Sequence, residues 1–252
     1  MELIFNNINL KNKNKYLIKN LNLTIEDKEI TGIIKDKENI IKKILVDKCD
    51  FEGELNIDDR VISYVNNRNF LTKTVSDEFY LVKNNLKEKD NFIEKLLSSI
   101  NMVGLTDDYL ERNINTLSKT EKILVEIALS LITNPDILIL DNIFNNLDKS
   151  NKLVIKKILL ELKKNYNKII IIIDDINIIY EICNNIIIFK DNYLLISGNK
   201  KEVFNDIDLL IDNEIELPFF IEFSYNAKNY NKEIKYYQEI NDLIKGVYKN
   251  AR

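Results

Sequence analysis

Residues 117–148 read LSKTEKILVEIALSLITNPDILILDNIFNNLD, and the order of elements in that stretch decides the fold. Apolar residues recur with helical period over residues 121–132, which predicts an amphipathic helix. Ser118 with Glu121 three residues on has the form of a capping box at its start. Thr133, Asn134 and Pro135 break it, because proline lacks the N–H that a continuing helix needs. Residues 137–140 then form a buried strand that ends at Asp141. Asp148 is placed to cap a second helix over residues 152–164, where Leu153, Ile155, Ile158, Leu159 and Leu162 share one side. Helix, buried strand and helix in succession imply an α/β domain.

The same grammar extends outward. Residues 169–173 are wholly apolar, as strands covered on both faces of a parallel sheet are. Residues 186–189 and 193–196 read as two edge strands. Toward the amino terminus, Leu21, Leu23 and Ile25 alternate with polar residues as in a half-buried strand, and residues 30–34 (ITGII) read as a short buried one. A helix follows over residues 39–46, then strands over 54–57 and 61–65 with Gly53 as their turn residue, then helix from 76 to about 110. Past Pro218 the composition shifts: Phe219, Phe220, Phe223 and Tyr225 crowd together, and Tyr237, Ile240, Leu243, Ile244 and Val247 recur at helical spacing. The domain organisation predicted is a main unit over residues 1–217, with a helical subdomain at about 76–115, and a helical appendage over 218–252.

Composition narrows the function. With 45% apolar and 30% charged residues the chain can bury a sizeable core, and a net charge of −4 with interspersed signs gives nucleic acid no basic surface to bind. Cys49 and Cys183 lack metal-ligand spacing, which suggests reduced thiols in a cytosolic protein without a signal peptide. The five-residue apolar run at 169–173 is far short of the ~20 residues that span a bilayer, so a membrane role would come through a partner. The chain has five glycines and no histidine.

The stretch 117–148 resembles the segment from signature to Walker B strand in ATP-binding-cassette (ABC) ATPases. The likeness covers residues 1–225, with the best matches at 74–79, 117–148 and 196–204. SGNKKEVF (197–204) is similar to the ending G-[ST]-P-x-E-[VI]-F of the ATPase subunits in energy-coupling-factor (ECF) importers, and the region of Pro218, Phe219 and Phe220 resembles their appendage. The resemblance implies a P-loop-NTPase-like fold: a parallel core sheet with helices, an antiparallel β subdomain, a helical subdomain and a small carboxyl-terminal appendage.

At most of the chemical positions this sequence departs from that family. A P-loop needs glycines so that successive N–H groups can face a phosphate, and a lysine at the helix start. Here the glycine positions hold Lys35, Glu38 and Ile40, the lysine position holds Ile41, and the Ser/Thr positions hold Lys42 and Lys43. Lys42 and Lys43 either grip phosphates from a displaced helix start or form a solvated basic helix end. LSKTE stands where LSGGQ would be, with Lys119 in a glycine position; Ser118 is either a residual contact to a partner's nucleotide or simply the helix cap. Asp141 matches the Walker B aspartate, which holds Mg²⁺ in the family, and reads otherwise as a structural hydrogen-bonding residue. The next position is Asn142, an amide that cannot act as a general base. Asp148 matches the D-loop aspartate, Asp174 takes the switch-histidine position, and Asn67 falls where a glutamine is sought. Phe70, Leu71, Val75 and Phe79 are candidates for the groove that receives a transmembrane coupling component, or are ordinary subdomain core.

Three readings follow. The chain is a non-catalytic ABC subunit that pairs with an active paralogue and couples to a transmembrane component, peripheral at the inner face of the membrane, with no cofactor of its own. Or it is a slow ATPase using Lys42, Lys43 and Asp141 with ATP and Mg²⁺. Or it is a free-standing scaffold or regulator.

Overall fold

The computed structural model describes residues 2–13, 15–34, 36–57, 59–86, 90–166, 168–230 and 236–250. Strands β1 (Leu3–Asn12), β2 (Lys15–Ile25) and β4 (Phe51–Leu55) form an antiparallel sheet in the order β2-β1-β4. Strands β3 (Glu29–Ile34), β5 (Ile62–Val65), β6 (Ile137–Asp141), β7 (Lys168–Ile172), β8 (Asn185–Lys190) and β9 (Tyr193–Asn199) form the main sheet in the order β5-β6-β7-β3-β8-β9. Every ladder of the main sheet is parallel except the last, β8 with β9. The helices are α1 (Ile40–Leu45), α2 (Val75–Asn85), α3 (Phe92–Met102), α4 (Lys119–Leu131), α5 (Lys149–Leu162), α6 (Ile176–Ile182), α7 (Lys200–Val203), α8 (Ile207–Asp212), α9 (Phe219–Tyr230) and α10 (Ile240–Asn250). Two short 3-10 turns, Asp107–Glu111 and Ile114–Thr116, lead into α4.

Strand alternation splits the core into two layers. Ile30, Leu138, Leu140, Ile169 and Ile171 face the layer built with α2, α3 and α4. Ile33, Ile137, Ile139, Ile170 and Ile172 face the other, shared with the antiparallel sheet and with Ile40, Ile41, Ile44 and Leu45 of α1. Both faces of the main sheet are therefore covered, which is why β6 and β7 carry five and five consecutive buried residues.

Several sequence readings change. Gly53 is no turn residue: it lies within β4 at φ +112°, opposite the register shift between Asn6 and Asn9 of β1. A Cβ there would stand 2.5 Å from the Asn7 carbonyl oxygen, so only glycine fits this bulge. Of the two strands read as edges, only β9 is one; β8 sits between β3 and β9. The helical stretch from 76 divides into α2 and α3 before the 3-10 turns. Asparagine takes up much of the work that glycine does elsewhere. Eight of the thirteen non-glycine residues at positive φ among the described residues are asparagine, so a chain poor in glycine still makes left-handed turns.

Candidate functional site

The loop between β3 and α1 is where the sequence places a degenerate phosphate loop. Lys35 lies outside the described residues. Asn39, the residue before α1, is left-handed at φ 53° and ψ 44°, and its side chain caps nothing. Asp36, three residues earlier, does so instead. Its Oδ1 accepts the Ile40 N–H at 2.7 Å, its Oδ2 accepts the Ile41 N–H at 3.1 Å, and its carbonyl accepts the Asn39 N–H at 2.9 Å. The carboxylate is 7% exposed. Burial raises its pKa, while the two N–H bonds and nearby Lys43 pull it back.

Ile40, Ile41 and Lys42 turn away from the helix head, while Lys43 folds back toward it. Ile40 and Ile41 are buried in the core layer. Lys42 pairs with Asp47 at 3.4 Å beyond the helix end and lies 5.7 Å from the Tyr64 ring centre. Lys43 donates to the Glu38 carbonyl at 2.5 Å, with the Glu38 carboxylate 4.0 Å away.

At the carboxyl end of β6, Asp141 is 8% exposed and both its oxygens are engaged. Tyr64 donates to Oδ2 at 2.5 Å, and the Asn142 amide donates to Oδ1 at 2.6 Å. Burial, then the bond to Asp141, raises the Tyr64 pKa and keeps its proton in place. Asn142 is left-handed at φ 54°, accepts from the Asn145 amide at 3.1 Å, and its carbonyl receives the Asn67 amide at 3.1 Å. Lys119 donates to the Asn145 carbonyl at 2.7 Å. Hydrogen bonds within one chain thus join Lys119, Asn145, Asn142, Asp141 and Tyr64. Asp174 is exposed at the end of β7, and its neighbour Asp175 caps α6 while pairing with Lys152 at 3.0 Å.

The two predicted caps are present. Ser118 and Glu121 form a full capping box on α4, with Glu121 also held by Tyr109 at 2.6 Å and by Arg112 at 3.6 Å. The Tyr109 bond is the largest influence keeping the Glu121 carboxyl below its usual range. Asp148 caps α5, which begins at Lys149, three residues earlier than the apolar period suggests. Its carboxylate accepts from Asn151 N–H at 2.8 Å and from the Ser150 hydroxyl at 2.7 Å.

Two residues that sequence reasoning passed over hold the loop after Asn66. Glu126 of α4, 3% exposed, accepts the Asn66 N–H at 3.0 Å, and burial raises its carboxyl pKa. Glu78 of α2, 1% exposed, accepts the Thr72 N–H at 2.7 Å and the Leu71 N–H, and pairs with Arg68 at 3.4 Å. A carboxylate in the middle of an apolar helical stripe is the signal that could have found Glu126. Among the groove candidates, Val75 and Phe79 are wholly buried in the core and offer no surface, which corrects their inclusion. Phe70 is half-buried and Leu71 is 79% exposed.

The ABC transporter family profile matches residues 18–145, just over half of the chain. The chain belongs to the ABC transporter family. This ABC protein is 27% identical over 216 residues to the energy-coupling factor transporter ATP-binding protein EcfA of Malacoplasma penetrans, spanning 79% of this chain and 75% of that one. It is 26% identical to EcfA1 of Mesomycoplasma hyopneumoniae, covering 79% and 69%. Among solved structures its fold is similar to cbiO1 from Clostridium perfringens, described as part of the ABC transporter complex cbiONQ. That match has TM-score 0.72 and 23% identity and covers 85% of this chain and 95% of that one. An ATP-binding cassette of another ABC transporter aligns with TM-score 0.73 at 17% identity, over 86% of this chain and all of that one.

Proposed function

We propose that this ABC protein is a non-hydrolysing subunit of an ECF-type importer, which pairs with a catalytically intact paralogue and seats a transmembrane coupling component. The observation that carries the reading is the closed head of α1, where Asp36 already accepts the two N–H groups that would meet a phosphate. A triphosphate brought there would also face the like charge of that buried carboxylate. The donor set fits ATP with Mg²⁺ poorly: each oxygen of Asp141 already accepts one hydrogen bond within the chain, and Ile41 puts a buried apolar side chain where the family has the phosphate-binding lysine. Asn142 cannot take a proton from water. Asp174 adds a negative charge where the family's histidine meets nucleotide.

Support for the transport role comes from the likeness to EcfA proteins and to a cbiONQ component. No helix among the described residues is long and apolar enough to cross a membrane, so membrane attachment at the inner face would run through a partner. Leu71, exposed on a loop pinned by Glu78, is the residue this reading assigns to such a contact. The competing reading, a slow ATPase using Lys42 and Lys43, has both lysines already paired with Asp47 and Glu38.

Purification of the tagged chain from its native membrane tests the proposal. It should bring down an intact ABC subunit and a multi-span protein, and the assembly's ATPase rate should be unchanged by Lys42→Ala with Lys43→Ala in this chain. An isolated monomer with no membrane association, or an ATPase rate that falls with those lysines, contradicts it.

A further inference from the structure

A cleft of about 530 Å³ lies away from the head of α1, between β1 and β2 on one side and β3, β8 and β9 on the other. That volume is in the range of small-molecule sites. Its most buried polar wall residue is Thr31 of β3, 1% exposed. Alternation along β3 puts Thr31 on the same face as Ile33, toward the antiparallel sheet and so into the cleft. Its hydroxyl is the one buried side-chain group among the described residues that has no hydrogen-bond partner. An unpaired buried hydroxyl costs free energy, so threonine there rather than valine implies a partner that the chain itself does not supply.

Strand register extends this point into a polar row. Thr31 pairs with Asn185 of β8, and Asn185 with Asn199 of β9, so the three share one face. Two carboxylates border the row. Glu26 accepts from the Asn185 amide at 3.2 Å, and Glu202 accepts from the Asn199 N–H at 3.3 Å, each through Oε2. Neither forms an ion pair among the described residues, and Oε1 of each has no hydrogen bond among them. Gly198 makes room for Glu202, because a Cβ there would stand 2.9 Å from its Oε2. No lysine or arginine lines the cleft. Nothing in it would neutralise an anion, so a phosphate compound is the wrong guest. Two carboxylates are too few for a dedicated metal cage, and among the described residues no group of three or more His, Cys, Asp or Glu side chains converges. A primary ammonium suits the lining, because it brings positive charge and three donors and asks for acceptors alone.

We propose that this cleft binds a small organic cation of the polyamine class, with Glu26 and Glu202 holding its charge and the Thr31 hydroxyl accepting one N–H. The site is separate from the nucleotide positions and stands whether or not the chain hydrolyses ATP.

Titration of the full chain with spermidine, followed by amide NMR, tests it. Saturable binding is expected, with shifts concentrated at Leu23, Ile187 and Ser197. Thr31→Val should weaken binding by about tenfold, the size of one hydrogen bond, and should raise the melting temperature of the free protein as the unpaired hydroxyl is removed. Glu26→Gln and Glu202→Gln should each weaken it by about tenfold or more, since a charge-assisted bond is lost. Both residues are exposed, and glutamine at 202 can still close the capping box of α7, so these variants decide the matter even if Thr31→Val does not fold. Tetramethylammonium, which carries the charge without N–H groups, should not compete. No saturable binding at millimolar spermidine overturns the proposal, as does binding that moves amides elsewhere. Binding indifferent to the glutamine variants, or matched by tetramethylammonium, is diffuse charge attraction and overturns it equally.

Discussion

Helices α1 and α4 both start near the site, and they start in opposite ways. The head of α4 is exposed, capped by Ser118 in a reciprocal box with Glu121, and carries Lys119 outward to the Asn145 carbonyl. The head of α1 is buried, its cap residue is left-handed, and its donors are consumed by a carboxylate from the loop before it. A helix terminus offers an anion site only while its N–H groups remain available. On the proposed function, the buried head is the half of the site that would have held this chain's own nucleotide, and the solvent-facing head is the half that would meet a partner's.

The contrast between inward and outward groups can be broken most forcefully on α2 and the loop before it. Phe79→Ala should cost about 3–5 kcal/mol, as large-to-small changes in a sealed core do, while Leu71→Ala should stay within about 0.5 kcal/mol. Equal losses in urea unfolding would erase the distinction between core and surface drawn there. The next effect compares the two helix starts directly. Asp36→Ala strands two buried donors, each worth roughly 1–3 kcal/mol, less the relief of removing a buried charge. Ser118→Ala, at an exposed cap, should cost about 1 kcal/mol. If Ser118 proves the costlier position, the head of α1 is not held as described.

The smallest effect lies in pH. The Glu121 carboxyl is held below its ordinary range by Tyr109 first and then by Ser118, so its contribution is present above the unfolded value of 4.5 and fades as pH falls through the lowered folded value. The stability margin of the unaltered protein over Glu121→Gln should therefore be constant near neutrality and close only in acid. A margin that widens in acid has the wrong sign for a stabilised carboxylate. Asp36 should behave inversely, since its raised pKa means that stability relative to Asp36→Asn grows as pH falls toward 3.8.

What the sequence made legible was local. The break at Pro135, the strand ending at Asp141 and the capping box at Ser118 each follow from residues within a few positions of one another. What escaped depended on the chain folding back. Asp36 reaches α1 only because Asn39 reverses the backbone, and nothing in the spacing of DKEN announces that turn. Glu78 and Glu126 become loop anchors only once α2 and α4 are packed beside residues 66–72. The resemblance left Val75 and Phe79 as either groove residues or subdomain core, and the core took them. Gly53 sits in mid-strand opposite a bulge of the neighbouring strand, and that pairing across the sheet decides its role.

Calorimetric titration of the purified chain with Mg-ATP bears most directly on the central claim that the head of α1 is already occupied from within. The expected result is no heat of binding and no change in melting temperature at millimolar nucleotide. A ligand present at 100 times its Kd adds about 2.7 kcal/mol to stability, so a saturable heat accompanied by a rise in melting temperature would contradict the claim outright.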